Sequence, residues 1–252
     1  MKIIFEIYYH TRWGESLFLS GDIDELGANE DNRAVMMDYQ GDGLWKYTME
    51  LPASAKKFHY EYLVKSGEGI RREWGSPHSF SPGRNAGEYR LVDRWRDVPA
   101  DLPFYSSAFI QGIFFRQHAD SVVETIEPGT LTVKVDASQL RPDERLVMVG
   151  DCPELGDWDV LKAPLLNDSS FPEWQITLDG RQLKFPFEYK FVIVRTHQRE
   201  VVAWETGENR ICREKPQNPS EAVVVSGLRF NGSESQWLSL IHISEPTRLR
   251  RI

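Results

Sequence analysis

The sequence predicts an all-β protein with two tandem immunoglobulin-like domains, each an antiparallel β-sandwich. The first observation is an internal repeat: Leu17–Gly27 matches Leu146–Gly156 at six of eleven positions, at a constant offset of 129 residues. The second is that apolar and polar residues alternate, as in Leu131–Asp136, which is typical of half-buried strands. The third is that no stretch keeps a helical period. Many short strands within about 100 residues favour a sandwich.

Each predicted strand is short, rich in β-branched and aromatic residues, and bounded by Gly, Pro, Asn or Asp. The first repeat has four such segments, at residues 2–9, 17–21, 44–51 and 59–64. The second repeat has six, at residues 131–136, 146–150, 173–178, 187–194, 201–204 and 222–226. We therefore expect domains at residues 1–97 and 129–230, each large enough for one hydrophobic core.

Two segments lie outside the repeats. Residues 98–128 carry prolines near both ends and contain the largely apolar patch 108–115, which Gln111 interrupts, so we expect a linker with one anchoring strand. Residues 231–252 form a tail, whose last 14 residues carry three Arg against one Glu in an otherwise acidic chain. We expect this tail to be foreign or truncated and assign it no function.

Composition and motifs exclude several classes of function. The formal charge of −8 disfavours nucleic acid and anionic membranes as partners. Apolar runs reach about four residues, against the roughly 20 that a membrane-spanning helix requires, and no secretory signal is visible, so a cytoplasmic protein is expected. Cys152 and Cys212 lack the spacing of a zinc or redox pair and should be reduced, buried or half-buried thiols.

Common catalytic motifs are also missing. The sequence contains no P-loop, dinucleotide fingerprint, zinc-protease motif or nucleophile elbow, so it predicts no cofactor, no metal site and no catalytic residue in this chain. Among 38 carboxylates some pair must lie close by chance, and counting alone leaves a paired-acid glycosidase mechanism open without supporting it.

The most specific signal is a group of residues in the second repeat, spread over the segments Glu154–Trp158, Phe187–Val192 and Ala203–Arg210. Their order and spacing resemble the starch-binding domains of carbohydrate-binding module family 20, which are β-sandwiches that bind α-1,4-glucans. The resemblance covers nearly all of residues 129–230. It implies a principal sugar site, named site one below, formed by Trp158, Lys190, Trp204 and Asn209, with Glu205 beside them.

This composition suits a sugar on physical grounds as well. A glucose ring has an apolar face of C–H bonds and an edge of hydroxyls, so aromatic surface binds the face and polar groups bind the edge. Two indoles set at an angle match the curve of an amylose helix better than the flat ribbon of cellulose. Three alternatives stay open: Trp158 and Trp204 could pack in a core, and Lys190 could be a solvated strand residue.

The same family has a second sugar site, which uses an aromatic residue near the start of the domain and a tryptophan before a middle strand. In the first repeat the resemblance assigns these roles to Trp13 and Trp45. Trp45 and its counterpart Trp174 are equally suited to the sandwich core. Pro142 stands at the place of Trp13 in the second repeat. We therefore expect one working site per domain, of different types.

Site one is expected to be degenerate in the first repeat. Asn29 stands at the place of Trp158, and matching Tyr60–Tyr62 to Phe187–Tyr189 puts Leu63 at the place of Lys190. Trp74 matches Trp204 at an offset of 130 residues and is the expected counterpart of Trp204.

The arrangement of the whole chain resembles the N-terminal part of amylomaltase-related 4-α-glucanotransferases of the disproportionating-enzyme-2 type. In that family a (β/α)-barrel follows the modules and carries the catalytic carboxylates. The expected function is therefore non-catalytic binding of α-1,4-glucan (starch, glycogen or maltooligosaccharides), with a C-terminal catalytic barrel as a partner in the full-length parent. One alternative is an interaction module with decayed sugar sites that docks on this barrel. Another is an enzyme whose active site forms between the sandwiches or in a partner chain.

Overall fold

The computed structural model describes residues 1–83, 87–97 and 126–232, and its β-strands confirm the predicted all-β class. The predicted linker lies outside the described residues except for residues 126–128, as does the tail beyond residue 232. The strands of the first repeat are β1 Lys2–Tyr8, β2 Ser16–Gly21, β3 Val35–Met36, β4 Asp38–Gly41, β5 Leu44–Glu50, β6 Phe58–Ser66, β7 Gly69–Arg72, β8 His78–Phe80 and β9 Glu88–Arg94. Those of the second are β10 Thr130–Asp136, β11 Glu144–Gly150, β12 Asn167–Ser170, β13 Glu173–Asp179, β14 Phe187–Arg195, β15 Val201–Trp204, β16 Arg210–Cys212 and β17 Glu221–Arg229.

Helical structure in the described ranges is limited to short 3₁₀ turns, at Asp24–Leu26, Asp31–Arg33 and Pro153–Leu155. The first and last of these stand at matching places in the two repeats, directly after β2 and β11, and a left-handed glycine closes each of them. No helix among the described residues is long and apolar enough to cross a membrane.

Each repeat has a small sheet of its own. In the first repeat the strand order is β3-β2-β6-β7, with β8 also paired to β6. In the second it is β11-β14-β15, with β16 also paired to β14. All pairs in these two sheets are antiparallel, as predicted.

The remaining strands of both repeats form a single eight-stranded sheet, in the order β12-β13-β10-β17-β9-β1-β5-β4. Its four central strands are parallel neighbours, because β10 pairs with β17, β17 with β9, and β9 with β1 in parallel. The flanking pairs are antiparallel. This shared sheet packs against both small sheets and so links the two sandwiches.

The hydrophobic cores follow the same arrangement. Each repeat has its own core, with Phe5 and Tyr62 at the centre of the first and Trp174 and Phe191 at the centre of the second. Each core also contains residues of the other repeat, which come from the β9–β17 pair. Ala222 and Val224 of β17 belong to the first core, whereas Val92 of β9 belongs to the second. Such packing was not predicted from a sequence that indicated two separate cores.

Both cysteines are free and buried, as expected. Burial raises the pKa of the Cys152 thiol to about 11 and raises that of the Cys212 thiol further. A thiol in such surroundings stays protonated and unreactive.

Candidate functional site

One face of the β11-β14-β15 sheet brings the predicted site-one residues together. Val149 is paired with Lys190, and Trp204 is paired with Val192 of the same strand as Lys190. Side chains of directly opposed residues share one face of a sheet, and so do residues two apart along a strand. Lys190 and Trp204 therefore project from the same face, next to a small buried cluster of valines on which Trp158 packs.

Trp158 reaches this face from a tight turn after β11. Its backbone N–H donates to the carbonyl of Gly150 at 2.8 Å, which fixes the turn against the end of the strand. Gly156, Asp157 and Trp158 all have positive φ, at 82°, 50° and 65°. A left-handed conformation costs a residue with a bulky side chain about 1–2 kcal/mol, so this turn holds Trp158 in a strained position. The indole is half-buried, which leaves part of the ring accessible.

Trp204 and Lys190 lie on the neighbouring strands. Trp204 is 44% exposed at the end of β15, which is unusual for a tryptophan. Lys190 is half-buried, and its Nζ donates to the carbonyls of Gly207 at 2.6 Å and Glu205 at 3.2 Å. The ammonium group therefore holds the loop that follows Trp204 against β14.

The two remaining predicted residues differ in their surroundings. Asn209 is exposed, and its Nδ2 donates to Oε2 of Glu188 at 2.8 Å, so that it forms the polar rim of the same face. Glu205 is only 4% exposed, and its carboxylate accepts from the guanidinium of Arg210 at 2.5–3.1 Å. The Glu205 carboxylate also accepts from the N–H of Phe191 at 3.3 Å. Glu205 thus lies beneath the site, where it supports the loop.

This arrangement offers an apolar floor, two partly exposed indoles and a polar rim in one place. Such a surface can stack on the C–H face of a sugar ring and hydrogen-bond its hydroxyls. Within the described ranges no group of three His, Cys, Asp or Glu side chains is placed to hold a metal ion. Sequence reasoning missed Glu188 and Arg210, because nothing in a strand pattern shows which polar residue pairs with which.

The corresponding face of the first repeat can be compared through matching backbone contacts. The N–H of Asn29 donates to the carbonyl of Gly21 at 2.7 Å, as Trp158 does to Gly150, and Asn29 has a φ of 63°. The N–H of Arg12 donates to Glu15 and that of Arg141 to Glu144, both at 2.8 Å, so Trp13 and Pro142 occupy equivalent positions. Both substitutions predicted from the sequence are confirmed.

Two other predicted counterparts are wrong. Gly21 pairs with Tyr60, and Gly150 pairs with Tyr189, so Tyr60 corresponds to Tyr189 and Glu61 stands at the place of Lys190. Leu63 is the counterpart of Val192 instead. The Glu-Tyr pair shared by Tyr60–Tyr62 and Phe187–Tyr189 suggested a register between the repeats that differs by two residues from the actual one.

The counterpart of Trp204 follows from the same register. Arg72 pairs with Leu63 as Trp204 pairs with Val192, so Arg72 and not Trp74 stands at the place of Trp204. Arg72 forms ion pairs with Glu61 and with Asp31. An ion-pair network therefore covers this face in the first repeat, where the second repeat has its indoles.

The residues assigned to the second sugar site lie in different environments. Trp13 is fully exposed. Trp45 is 5% exposed and donates from Nε1 to the carbonyl of Tyr9 at 3.0 Å, as the fully buried Trp174 donates to Ala137 at 3.1 Å. The structure thus places Trp45 and Trp174 in the cores, the alternative that the sequence left open. Tyr39, exposed with its ring centroid 5.1 Å from that of Trp45, was not recognised from the sequence.

Comparisons with known proteins agree with this description. A 4-alpha-glucanotransferase DPE2 of rice (Oryza sativa subsp. japonica) is 26% identical over 230 residues, which make up 83% of this chain and 24% of the relative. A lytic polysaccharide monooxygenase of the AA13 family from Aspergillus terreus is 32% identical over 73 residues, 27% of this chain and 18% of the relative. The chain thus spans a quarter or less of the length of these relatives.

Among solved structures, the family 20 carbohydrate-binding module of a maltotetraose-forming amylase from Pseudomonas saccharophila is similar over 38% of this chain and 99% of its own length, with 20% identity and a TM-score of 0.32. The model of the family described as "Starch binding domain" matches residues 1–85 and again residues 130–224. These two matches coincide with the two repeats and cover more than half of the chain. The chain therefore belongs to the starch-binding domain family, with one member in each repeat.

Proposed function

We propose that this chain binds α-1,4-glucan without catalysis, and that site one of the second repeat carries the binding. The observation that supports it most is the strained, half-exposed Trp158 on the same sheet face as the exposed Trp204. Packing on the valine cluster accounts for the buried part of the Trp158 ring, whereas the exposed part suits a sugar-stacking platform. Lys190 and Asn209 supply donors at the edge of this platform.

The proposal is tested by isothermal titration with β-cyclodextrin, a soluble mimic of one amylose turn. Trp158→Ala and Trp204→Ala should each weaken binding by about 30-fold or more, because loss of a central aromatic anchor costs roughly 2 kcal/mol. Arg195→Ala is the matched control, since Arg195 lies on β14 but forms an exposed ion pair with Glu200 at 2.7 Å. Retention of full affinity in both tryptophan variants would contradict the assignment of site one.

The contribution of the first repeat is a separate part of the proposal. We assign it a second sugar site that includes the exposed Trp13, whereas Trp45 is a core residue. Binding that survives the double change of Trp158 and Trp204 and disappears on Trp13→Ala would support this assignment. Two sites on one chain gain avidity on a long glucan through effective concentration.

We further propose that the chain is the N-terminal part of a 4-α-glucanotransferase that carries its catalytic barrel elsewhere. The similarity to the rice 4-alpha-glucanotransferase over 83% of this chain supports this proposal. The purified chain should then bind amylose but release no glucose from maltotriose. Release of glucose would show that the chain is itself catalytic. A cytoplasmic location, and the lack of nucleic-acid or membrane partners, stay predictions.

A further inference from the structure

The loop that carries site one is tied to the end of β17. The guanidinium of Arg210 pairs with the buried Glu205 and also donates through Nη2 to the carbonyls of Arg229 at 2.8 Å and Gly232 at 2.9 Å. Asn231 adds a second connection, because its Oδ1 accepts from the N–H of Thr206 at 2.9 Å. The backbone between Trp204 and Asn209 therefore depends on the position of residues 229–232.

The end of β17 is in turn held by the first repeat. The guanidinium of Arg229 lies over the ring of Trp74, with its Cζ 5.5 Å from the ring centroid, and Nη2 donates to the carbonyl of Asp97 at 3.3 Å. Trp74 is itself fixed, since its N–H donates to the carbonyl of Arg96 at 2.8 Å. The Arg229 backbone itself pairs with Asp136 of β10, and the cation–π contact adds a second attachment, through the side chain, between this end of β17 and the first repeat.

From these contacts we propose that Trp74 and Arg229 are positioning residues for site one, so that the first repeat sets the glucan affinity of the second. The route runs from Trp74 through Arg229 and Arg210 to the loop that follows Trp204. Neither Trp74 nor Arg229 contributes to the sugar-binding face. The inference rests on the proposed function, and it explains the place of Trp74, which is not the counterpart of Trp204.

The test is a double-mutant cycle in the full chain, with Trp74→Ala, Arg229→Ala and both together, titrated with β-cyclodextrin. Each single change should weaken binding by about 2- to 30-fold, the range that mutations outside a binding site produce through coupling. The double change should weaken it no further than the stronger single change, because both break the same contact. Trp74→Phe keeps an aromatic face for the guanidinium and should restore most of the affinity.

A second readout separates positioning from a general loss of stability. Hydrogen exchange of the Glu205 and Thr206 amides, which bond to Phe191 and Asn231, should accelerate in Trp74→Ala, while exchange in the core strand β14 stays unchanged. Where an alanine variant does not fold, Trp74→Leu and Arg229→Gln, which keep much of the side-chain volume but remove the ring or the charge, carry the same comparison. Arg195→Ala is again the control.

The outcomes are distinguishable. Folded Trp74 and Arg229 variants with parental affinity and parental exchange at residues 205 and 206 would overturn the inference and leave the proposed function intact. A parent chain that does not bind β-cyclodextrin refutes the proposed function and the affinity claim together. In that case hydrogen exchange still tests the contact route. Unchanged exchange of the Glu205 and Thr206 amides in the Trp74 and Arg229 variants would show that the first repeat does not position the loop.

Discussion

At the position of Trp158, the residue that suits sugar binding differs from the residue that suits the backbone conformation. Its counterpart in the first repeat, Asn29, has nearly the same φ, at 63° against 65°. Asparagine adopts this left-handed conformation more readily than other residues with a side chain, because its short polar group can bond locally. The first repeat thus has the residue that the backbone prefers, whereas the second has one that the backbone tolerates.

A pair of substitutions at this position tests the argument. Trp158→Asn should be more stable than Trp158→Ala by about 0.5–1 kcal/mol, because asparagine relieves the strain of positive φ and alanine does not. Urea unfolding of the two variants measures this difference. Both should lose affinity for β-cyclodextrin to the same extent, since neither offers a ring. Equal stabilities would show that the turn is not strained.

Individual residues also show which positions of the two repeats can be matched from the sequence. Asn29 and Pro142 could be matched to Trp158 and Trp13 because tight turns with conserved backbone bonds allow no slippage between the repeats. Lys190 and Trp204 could not be matched correctly, because aromatic residues recur every second position along β6 and β14. A shift of two keeps every side chain on its own face, so the wrong register looked equally good.

At the scale of elements, the two repeats use the same sheet face for different purposes. Strands β14 and β15 present Lys190 and Trp204, whereas β6 and β7 present Glu61 and Arg72 at the same positions. In the first repeat these two positions therefore form an ion pair between Glu61 and Arg72 in place of an aromatic platform. This explains in physical terms why the first repeat is expected to bind sugar elsewhere, at Trp13.

Strand β17 contains an irregularity directly after residues 222–225, which enter the two cores. The register against β10 shifts between Val133 and Val135, so that Ser226 and Gly227 together face Lys134. Such a bulge bends and twists the strand. Gly227 has a φ of 76°, and a Cβ there would lie 2.4 Å from the carbonyl oxygen of Arg94 on the neighbouring β9.

Gly227→Ala should therefore destabilise the whole chain by about 2 kcal/mol or more, because the positive φ and a backbone clash both penalise a side chain. The free energy of unfolding from urea titration measures the effect. Gly67→Ala is the matched control, since a Cβ there meets nothing within 4 Å, and it should change stability by less than about 0.5 kcal/mol. Equal effects at the two glycines would contradict the role of the bulge.

At the scale of the whole molecule, the main feature that the sequence did not predict is the sheet shared by both repeats. Alternating patterns identify strands and their buried faces, but they do not show which strand lies beside which. The β9–β17 pair joins residues about 130 positions apart in parallel, and neither strand carries a motif for its partner. Its polar contacts are specific, since the buried Arg90 bonds to Glu221 at 2.9 Å across the pair.

A buried polar cluster lies at this junction. His78 of the first repeat bonds to Ser226 of the second at 3.0 Å and to Glu73 at 3.1 Å, and its ring stacks on Tyr60. Asp93 lies 3.9 Å from its Nδ1. The pKa of His78 is raised, because the carboxylates of Glu73 and Asp93 outweigh the effect of burial and of the nearby Arg96, both of which lower it.

The junction should therefore weaken at alkaline pH. A histidine whose pKa is raised in the folded state contributes stability that is fully present below its unfolded value of about 6.5, and this stability is lost as pH rises through the folded value. The free energy of unfolding should fall as pH rises above about 6.5, and His78→Gln should flatten this dependence. An identical slope in the variant would exclude His78 as the cause.

Asp136 does not obscure this window. Burial and the carboxylate of Glu173 raise its pKa to about 6, so the stability that depends on its protonated form is lost mainly below about pH 7. Measurements between about pH 7 and 8 report on His78, because at higher pH the thiols of Cys152 and Cys212 lose their protons in the unfolded chain and lower the stability as well.

The placement of Ala222 and Val224 in the core of the first repeat also determines when that repeat can be completed during synthesis. The first 97 residues leave the ribosome well before these two side chains exist, so until then β9 has an unpaired edge. Such an edge invites pairing with other chains. A nascent first repeat must therefore wait for more than 120 further residues, and we expect it to need protection during that interval.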